Sequence, residues 1–245
     1  MSSYCEFAQY YDRLMDNINY DNWFSYIESI FKKYDLNPDS ILEMACGTGS
    51  LTKHLAEEGY LVTCFDISEQ MLSIAYNKLR KYPNVKVLNQ DMVNFNLNKK
   101  YDVILCLCDS INYITTTQDL GKVFNNVYNH LNDNGIFIFD INSYYKLKNI
   151  IGNNTFAEDK EEIYYVWENY FDDKQSICEF YLTFFIKQNE FYKRFDEKHI
   201  QRAYKLDEIK RVFETSSFSH IIEYEGFTFE PPHVNSERIN FVVKK

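Results

Sequence analysis

The chain has 245 residues, 45% hydrophobic and 18% aromatic, with 26 basic against 36 acidic side chains and a formal net charge of −10. That is ample apolar material for one large buried core, so a single domain spanning 1–245 is expected. The acidic balance disfavours long-range attraction to nucleic acid, and no window approaches the ~18 apolar residues of a membrane span.

In chain order, the opening Met1 to Leu14 carries polar or charged residues every few positions and lacks the apolar centre of a signal peptide, so a cytoplasmic location is expected. The six cysteines form no CxxC pair and read as reduced, structural thiols. Residues 1–36 read as a helical cap. Next, the apolar run Ile41-Leu42-Glu43-Met44 breaks into Ala45-Cys46-Gly47-Thr48-Gly49. Two glycines there let the backbone turn sharply and approach a ligand, and a helix then starts with free N–H groups. Asp66 ends the next apolar run, Leu61 to Phe65, 17 residues past Gly49. That is close to the ~20-residue interval at which a carboxylate reaches ribose hydroxyls in a βαβ unit. A dinucleotide fingerprint needs a third glycine where this chain has Thr52, which argues against NAD. Gln90-Asp91-Met92 follows the short strand pattern Val85 to Asn89 and offers a carboxylate to an exocyclic amine such as that of adenine.

Strand and helix patterns alternate from Ile41 to Asp140, the mark of a parallel sheet covered by helices. A strand from Val103 to Leu107 runs into Cys108-Asp109-Ser110-Ile111-Asn112-Tyr113, and a helix carries Leu120, Val123, Phe124, Val127 and Leu131 on one face. Between Asn142 and Leu206 the pattern changes. Ile163 to Phe171, Ile177 to Ile186 and Phe191 to Ala203 read as three strands with hairpin turns at Asp172-Asp173-Lys174 and Gln188-Asn189. A helix from Leu206 to Thr215 and strands at Ile221 to Phe229 and Ile239 to Val243 complete the chain.

Glu43-x-Ala45-x-Gly47-x-Gly49, Asp66 and Asp91 together resemble the class I S-adenosylmethionine-dependent methyltransferases, strongly over Ser40 to Asn142 and more loosely at the two ends. Ala45 departs from the family pattern, in which glycine is common. The resemblance implies an α/β fold with a doubly wound, seven-stranded, mostly parallel Rossmann-like sheet whose last strand is antiparallel. It implies S-adenosylmethionine as cofactor, with Glu43, Ala45, Gly47 and Gly49 around the methionyl part and Asp66 on the ribose. Asp91 and Met92 would then lie by the adenine, Ile67 and Met71 against its ring, and Cys108 beside the reactive methyl group. Tyr11, in Phe7-Ala8-Gln9-Tyr10-Tyr11-Asp12, is similar to an N-terminal Tyr-Asp segment that closes over the cofactor; packing of an amphipathic helix on the sheet is the other reading.

Residues 155–204 are expected to form an inserted antiparallel β lid over the ligand edge of the sheet. Tyr164, Tyr165, Trp167 and Tyr170 suggest an aromatic wall suited to a cationic or ring-shaped acceptor, ordinary strand composition being the alternative. Glu197-x-His199-x-x-Arg202-x-Tyr204 resembles a pattern of small bacterial methyltransferases, including amino-sugar N-methyltransferases. His199 and Asp109 are the candidate catalytic groups, each usable as a base only within hydrogen-bond reach of the acceptor; structural roles are the alternatives. The expected reaction is in-line methyl transfer to a small-molecule acceptor, with no metal required. A tRNA or protein methyltransferase, or a non-catalytic S-adenosylmethionine-binding protein, is the other reading. No sequence feature sets an oligomeric state.

Overall fold

The computed structural model describes residues 7–14 and 18–245. Two helices, α1 (Phe7–Leu14) and α2 (Tyr20–Lys33), precede the first strand, β1 (Ser40–Met44). The start of α2 is fixed by Asn19, whose side chain accepts from the Asn22 N–H and so satisfies one of the donors a helix start leaves free. Helices α3 (Ser50–Glu57), α4 (Glu69–Leu79) and α5 (Thr117–His130) then alternate with strands β2 (Leu61–Asp66), β3 (Val85–Asn89), β4 (Tyr101–Cys106) and β5 (Leu131–Asn142). Four consecutive strands follow: β6 (Thr155–Lys160), β7 (Ile163–Asp172), β8 (Ile177–Gln188) and β9 (Phe191–Arg202). The chain ends with α6 (Leu206–Glu214), β10 (His220–Glu225) and β11 (Arg238–Lys244).

The main sheet has seven strands in the order β10-β11-β5-β4-β1-β2-β3. β11 pairs antiparallel with both its neighbours, while β1 pairs parallel with β2 and β4. Both faces of its central strands are buried, and successive residues serve opposite faces. Ile41, Val103, Leu105, Ile136 and Ile138 pack under α2 and α3 with Trp23, Ile27 and Leu55. Leu42, Ile104, Cys106, Phe137 and Phe139 pack under α5 and α6 with Phe124, Ile209 and Phe213. Burial on two sides is why these strands read as continuous apolar runs rather than alternating ones. The winding direction reverses between β1 and β4, and the crevice outside the carboxyl ends of the strands at such a reversal is where open α/β sheets bind ligands. The loops after β1 and β4 therefore flank it.

The inserted segment forms a separate antiparallel sheet, β6-β7-β8-β9. Three strands were expected and four form. The addition, β6, is an edge strand whose side chains are almost all exposed, so it carries no period-2 apolar signal. Cross-strand rows on the inner face run Ile163-Ile186-Lys193, Tyr165-Phe184-Phe195, Trp167-Leu182-Glu197, Asn169-Phe180-His199 and Phe171-Cys178-Gln201. At one end Ile163, Phe184 and Ile186 pack on Ala8 and Leu14 of α1 and on Met71 of α4. At the other, Cys178, Phe180 and Phe171 pack on Leu147 and Ile151 of the turn after β5. Beside β9 stands a short 3-10 helix, Ser110–Tyr113, and the Asn112 side chain donates to the Arg202 carbonyl at 2.8 Å. This sheet thus covers the carboxyl ends of the parallel strands.

Candidate functional site

The glycine turn after β1 is held in left-handed backbone conformations: Ala45 at φ 53°, Gly47 at 54° and Gly49 at 75°. Only Ala45 carries a Cβ there, at a conformational cost of about 1–2 kcal/mol. The two glycines have different reasons. A Cβ on Gly49 would stand 2.7 Å from Leu79 Cδ1 of α4, so that glycine allows helix packing. A Cβ on Gly47 would meet nothing within 4 Å, so that glycine faces open space, and its backbone is left approachable by a ligand.

Asp66, at the end of β2, accepts from the Gly47 N–H at 2.9 Å through Oδ2 and from the Ser68 N–H at 2.8 Å through Oδ1. Its carboxylate is fixed by the loop it faces, and each oxygen retains a lone pair for a hydroxyl. Burial raises its pKa, and the backbone N–H donors oppose that shift. Glu43 is deeper: it is buried within β1 and accepts from Thr52 Oγ1 at 2.5 Å. Desolvation pushes its pKa up to about 8, with the Thr52 hydrogen bond opposing the shift. Ile67, directly after Asp66, is 67% exposed, an apolar side chain standing in solvent at a strand end. Met71 is buried between α4 and the second sheet. Asp91 caps its own turn, accepting from the Val93 N–H at 2.9 Å and the Asn94 amide at 3.1 Å, and Met92 packs against the core behind it.

The loop after β4 supplies the opposite wall. Cys108 and Asp109 are consecutive non-glycine residues at φ 57° and 54°, an arrangement of order 1–3 kcal/mol each. Asp109 does not cap the 3-10 helix with its side chain. Its Oδ1 accepts from Arg238 Nη2 at 2.9 Å and its Oδ2 from Gln201 Nε2 at 2.9 Å, while its N–H donates to Asp140 Oδ2 at 3.0 Å. Arg238 also donates to Asp140, whose carboxyl burial raises to about 6 against the pull of that guanidinium. Tyr11 of α1 lies close to Cys108, Asp109, Tyr20 and Tyr113, and desolvation drives its hydroxyl pKa upward. His199, on β9, is buried at 7% exposure and edge-on to the Tyr113 ring at 6.0 Å. Desolvation lowers its pKa to about 4, so it is neutral at neutral pH.

The expected aromatic wall divides in two. Trp167 and Tyr165 lie on the inner face, whereas Tyr164 and Tyr170 are exposed on the outer one, because neighbours along a strand point to opposite sides. Arg202 and Tyr204, noted beside His199, are held by other groups, Tyr204 being buried in the core under α5 and α6. Arg202 binds Glu208 and the Thr115 carbonyl, and the Tyr204 hydroxyl donates to the Ile114 carbonyl, tying the end of β9 to the chain after the 3-10 helix. The described cysteines, Cys46, Cys64, Cys106, Cys108 and Cys178, are free thiols.

Asp12, in the N-terminal segment noted with Tyr11, and Arg238, which gave no local signal, complete the site. Asp12 of α1 accepts from Thr48 Oγ1 at 2.6 Å and from Lys78 Nζ at 2.8 Å, pinning α1 onto the glycine turn. Arg238 reaches Asp109 across 129 residues of sequence. Their loops are adjacent only once the sheet is assembled.

Residues 41–135 match the family model described as a methyltransferase domain. The chain is 35% identical over 246 residues to a methyltransferase-named protein of Geobacillus sp. (strain WCH70), covering 99% of this chain and 100% of that one. Among solved structures, an S-adenosylmethionine-dependent methyltransferase from Clostridium acetobutylicum ATCC 824 superposes with a TM-score of 0.89 at 40% identity, covering 99% of each chain. A dTDP-4-amino-2,3,4,6-tetradeoxy-D-glucose N,N-dimethyltransferase of Saccharopolyspora spinosa is 34% identical over 101 residues, 41% of this chain and 39% of its own length. With the glycine turn, Asp66 and the strand order in place, the chain belongs to the S-adenosylmethionine-dependent methyltransferases.

Proposed function

We propose that this methyltransferase acts on a small molecule, by direct in-line transfer to an acceptor atom held between the loop after β4 and the inner face of the second sheet. The carrying observation is that β9 lies against the 3-10 helix beside Cys108-Asp109, which sets the inner face of the second sheet against the loop after β4. The acidic net charge and the Saccharopolyspora relative, named for an amino-sugar substrate, favour a compact, amine-bearing acceptor over an RNA.

The residues present fit the donor. Gly47 leaves an open approach, Asp66 offers oriented oxygens to ribose hydroxyls, and the exposed Ile67 offers an apolar surface to a flat base. Asp91 and Met92 would border that base, while Glu43, Ala45 and Gly49 shape the turn and Met71 its support. When bound, S-adenosylmethionine supplies a methyl group on a cationic sulfur, a leaving group good enough that the protein's main task is alignment. Holding two reactants in near-attack geometry contributes roughly 7–11 kcal/mol. On the acceptor side, Tyr11 and Cys108 would line the reacting position. His199, neutral because it is buried, would hydrogen-bond the acceptor and orient its lone pair; a pKa of about 4 suits it poorly to carrying a proton away. Asp109, engaged by Arg238 and Gln201, would fix the wall against which a neutral amine acceptor lies, its lone pair free for attack.

The test is incubation of the purified chain with methyl-labelled donor and the small-molecule fraction of a cell extract, with mass spectrometry of the labelled product. A labelled low-molecular-weight amine is expected. Label found only in added RNA or protein fractions would overturn the acceptor class.

A further inference from the structure

Two consecutive left-handed non-glycine residues after β4, Cys108 and Asp109, require restraint, and the structure provides it from three separate elements. Asp140, on β5, accepts from the Asp109 N–H; Gln201, on β9, donates to Asp109 Oδ2; Arg238, at the start of β11, donates to Asp109 Oδ1 and to Asp140. Arg238 is itself half-buried, lying over the Trp23 ring of α2 at 5.4 Å and reaching Asn142 Oδ1 at 3.4 Å. Its planar fork suits it to bridge two carboxylates at once; a lysine carries the charge but not the geometry. Lys146 is the other cation near this cluster, and burial together with Arg238 lowers its pKa.

We propose that Arg238 is a positioning residue for methyl transfer: it clamps Asp109 to Asp140 and so holds the Cys108-Asp109 turn in the strained conformation that shapes the reacting position. Gln201 is the second hold, and through it the seating of β9 is transmitted to the same turn. This rests on the proposed placement of the acceptor beside that turn. It assigns Arg238 no contact with donor or acceptor.

The substitution Arg238→Lys keeps a cation and loses the bridge. In hydrogen exchange read by mass spectrometry, peptides covering 107–113 should exchange about tenfold faster in R238K, while those covering the glycine turn and α3 should not change. Transfer of label from S-adenosylmethionine to the extract's small-molecule fraction should fall about tenfold at saturating donor, with the donor dissociation constant altered less than about threefold. Purely structural support predicts otherwise: loss of donor affinity and transfer together. That result, or unchanged exchange at 107–113 in R238K, overturns the proposal. Where R238K does not fold, Gln201→Leu serves as the second variant, and faster exchange confined to 107–113 is again required. Failure of the wild-type chain to bind S-adenosylmethionine would overturn the functional reading and leave the exchange result to decide the clamp.

Discussion

At the scale of single residues, Asp66 is the side chain whose role is most open to measurement. Asp66→Ala removes an acceptor already oriented by the Gly47 and Ser68 N–H groups. Hydrogen bonds to a charged group are typically worth about 1.5–3 kcal/mol, so donor affinity should fall roughly tenfold or more with folding retained. An unchanged dissociation constant in calorimetry would place the ribose elsewhere. His199 gives a pH signature. Its folded pKa, about 4, lies below the ordinary 6.5, so the unfolded chain takes up the proton first. The stability it allows is therefore complete above pH ~6.5 and lost as pH falls from there toward ~4, by at most about 3 kcal/mol. Denaturation of His199→Gln should show a correspondingly shallower acid limb than the wild type; equal limbs would mean that the imidazole is not held neutral. Asp66 was legible in the sequence because its signal is local, a carboxylate at a strand end at a set distance from a glycine turn. Arg238 was not, because a basic residue opening a last strand resembles any solvated charge until Asp140 and Asp109 are brought beside it.

At the scale of elements, the second sheet is joined to α4 and the glycine turn through α1. Phe184, fully buried, stacks on Phe195 at 4.9 Å and packs in the cluster that holds Ala8, Leu14 and Met71. Phe184→Ala should destabilise the chain by about 3–5 kcal/mol in urea denaturation with an unchanged slope. A cost below about 1 kcal/mol would show that this face is not packed on α1. The central strands were legible as apolar runs, and β7 to β9 as consecutive strands with turn residues between them. β6 was not, since an edge strand exposed on both faces has no core to impose a pattern on its residues. The split of the tyrosines between the two faces follows from strand period alone: Tyr165 and Trp167 share a parity that Tyr164 and Tyr170 do not.

At the scale of the whole molecule, the strand order, the reversal between β1 and β4, and the roof of β6 to β9 all converge on one crevice. The glycine turn and Asp66 are neighbours through local sequence signals, whereas the surroundings of Cys108-Asp109 are contacts between distant segments; the first could be read from sequence and the second needed the fold. The glycine turn and Asp66 are the proposed binding site of S-adenosylmethionine. Isothermal titration calorimetry of the full chain tests it most directly, with S-adenosylmethionine, its demethylated product and NAD titrated in parallel. One site per chain is expected for the first two, with weak or no binding of NAD; tight NAD binding without donor binding would overturn the assignment.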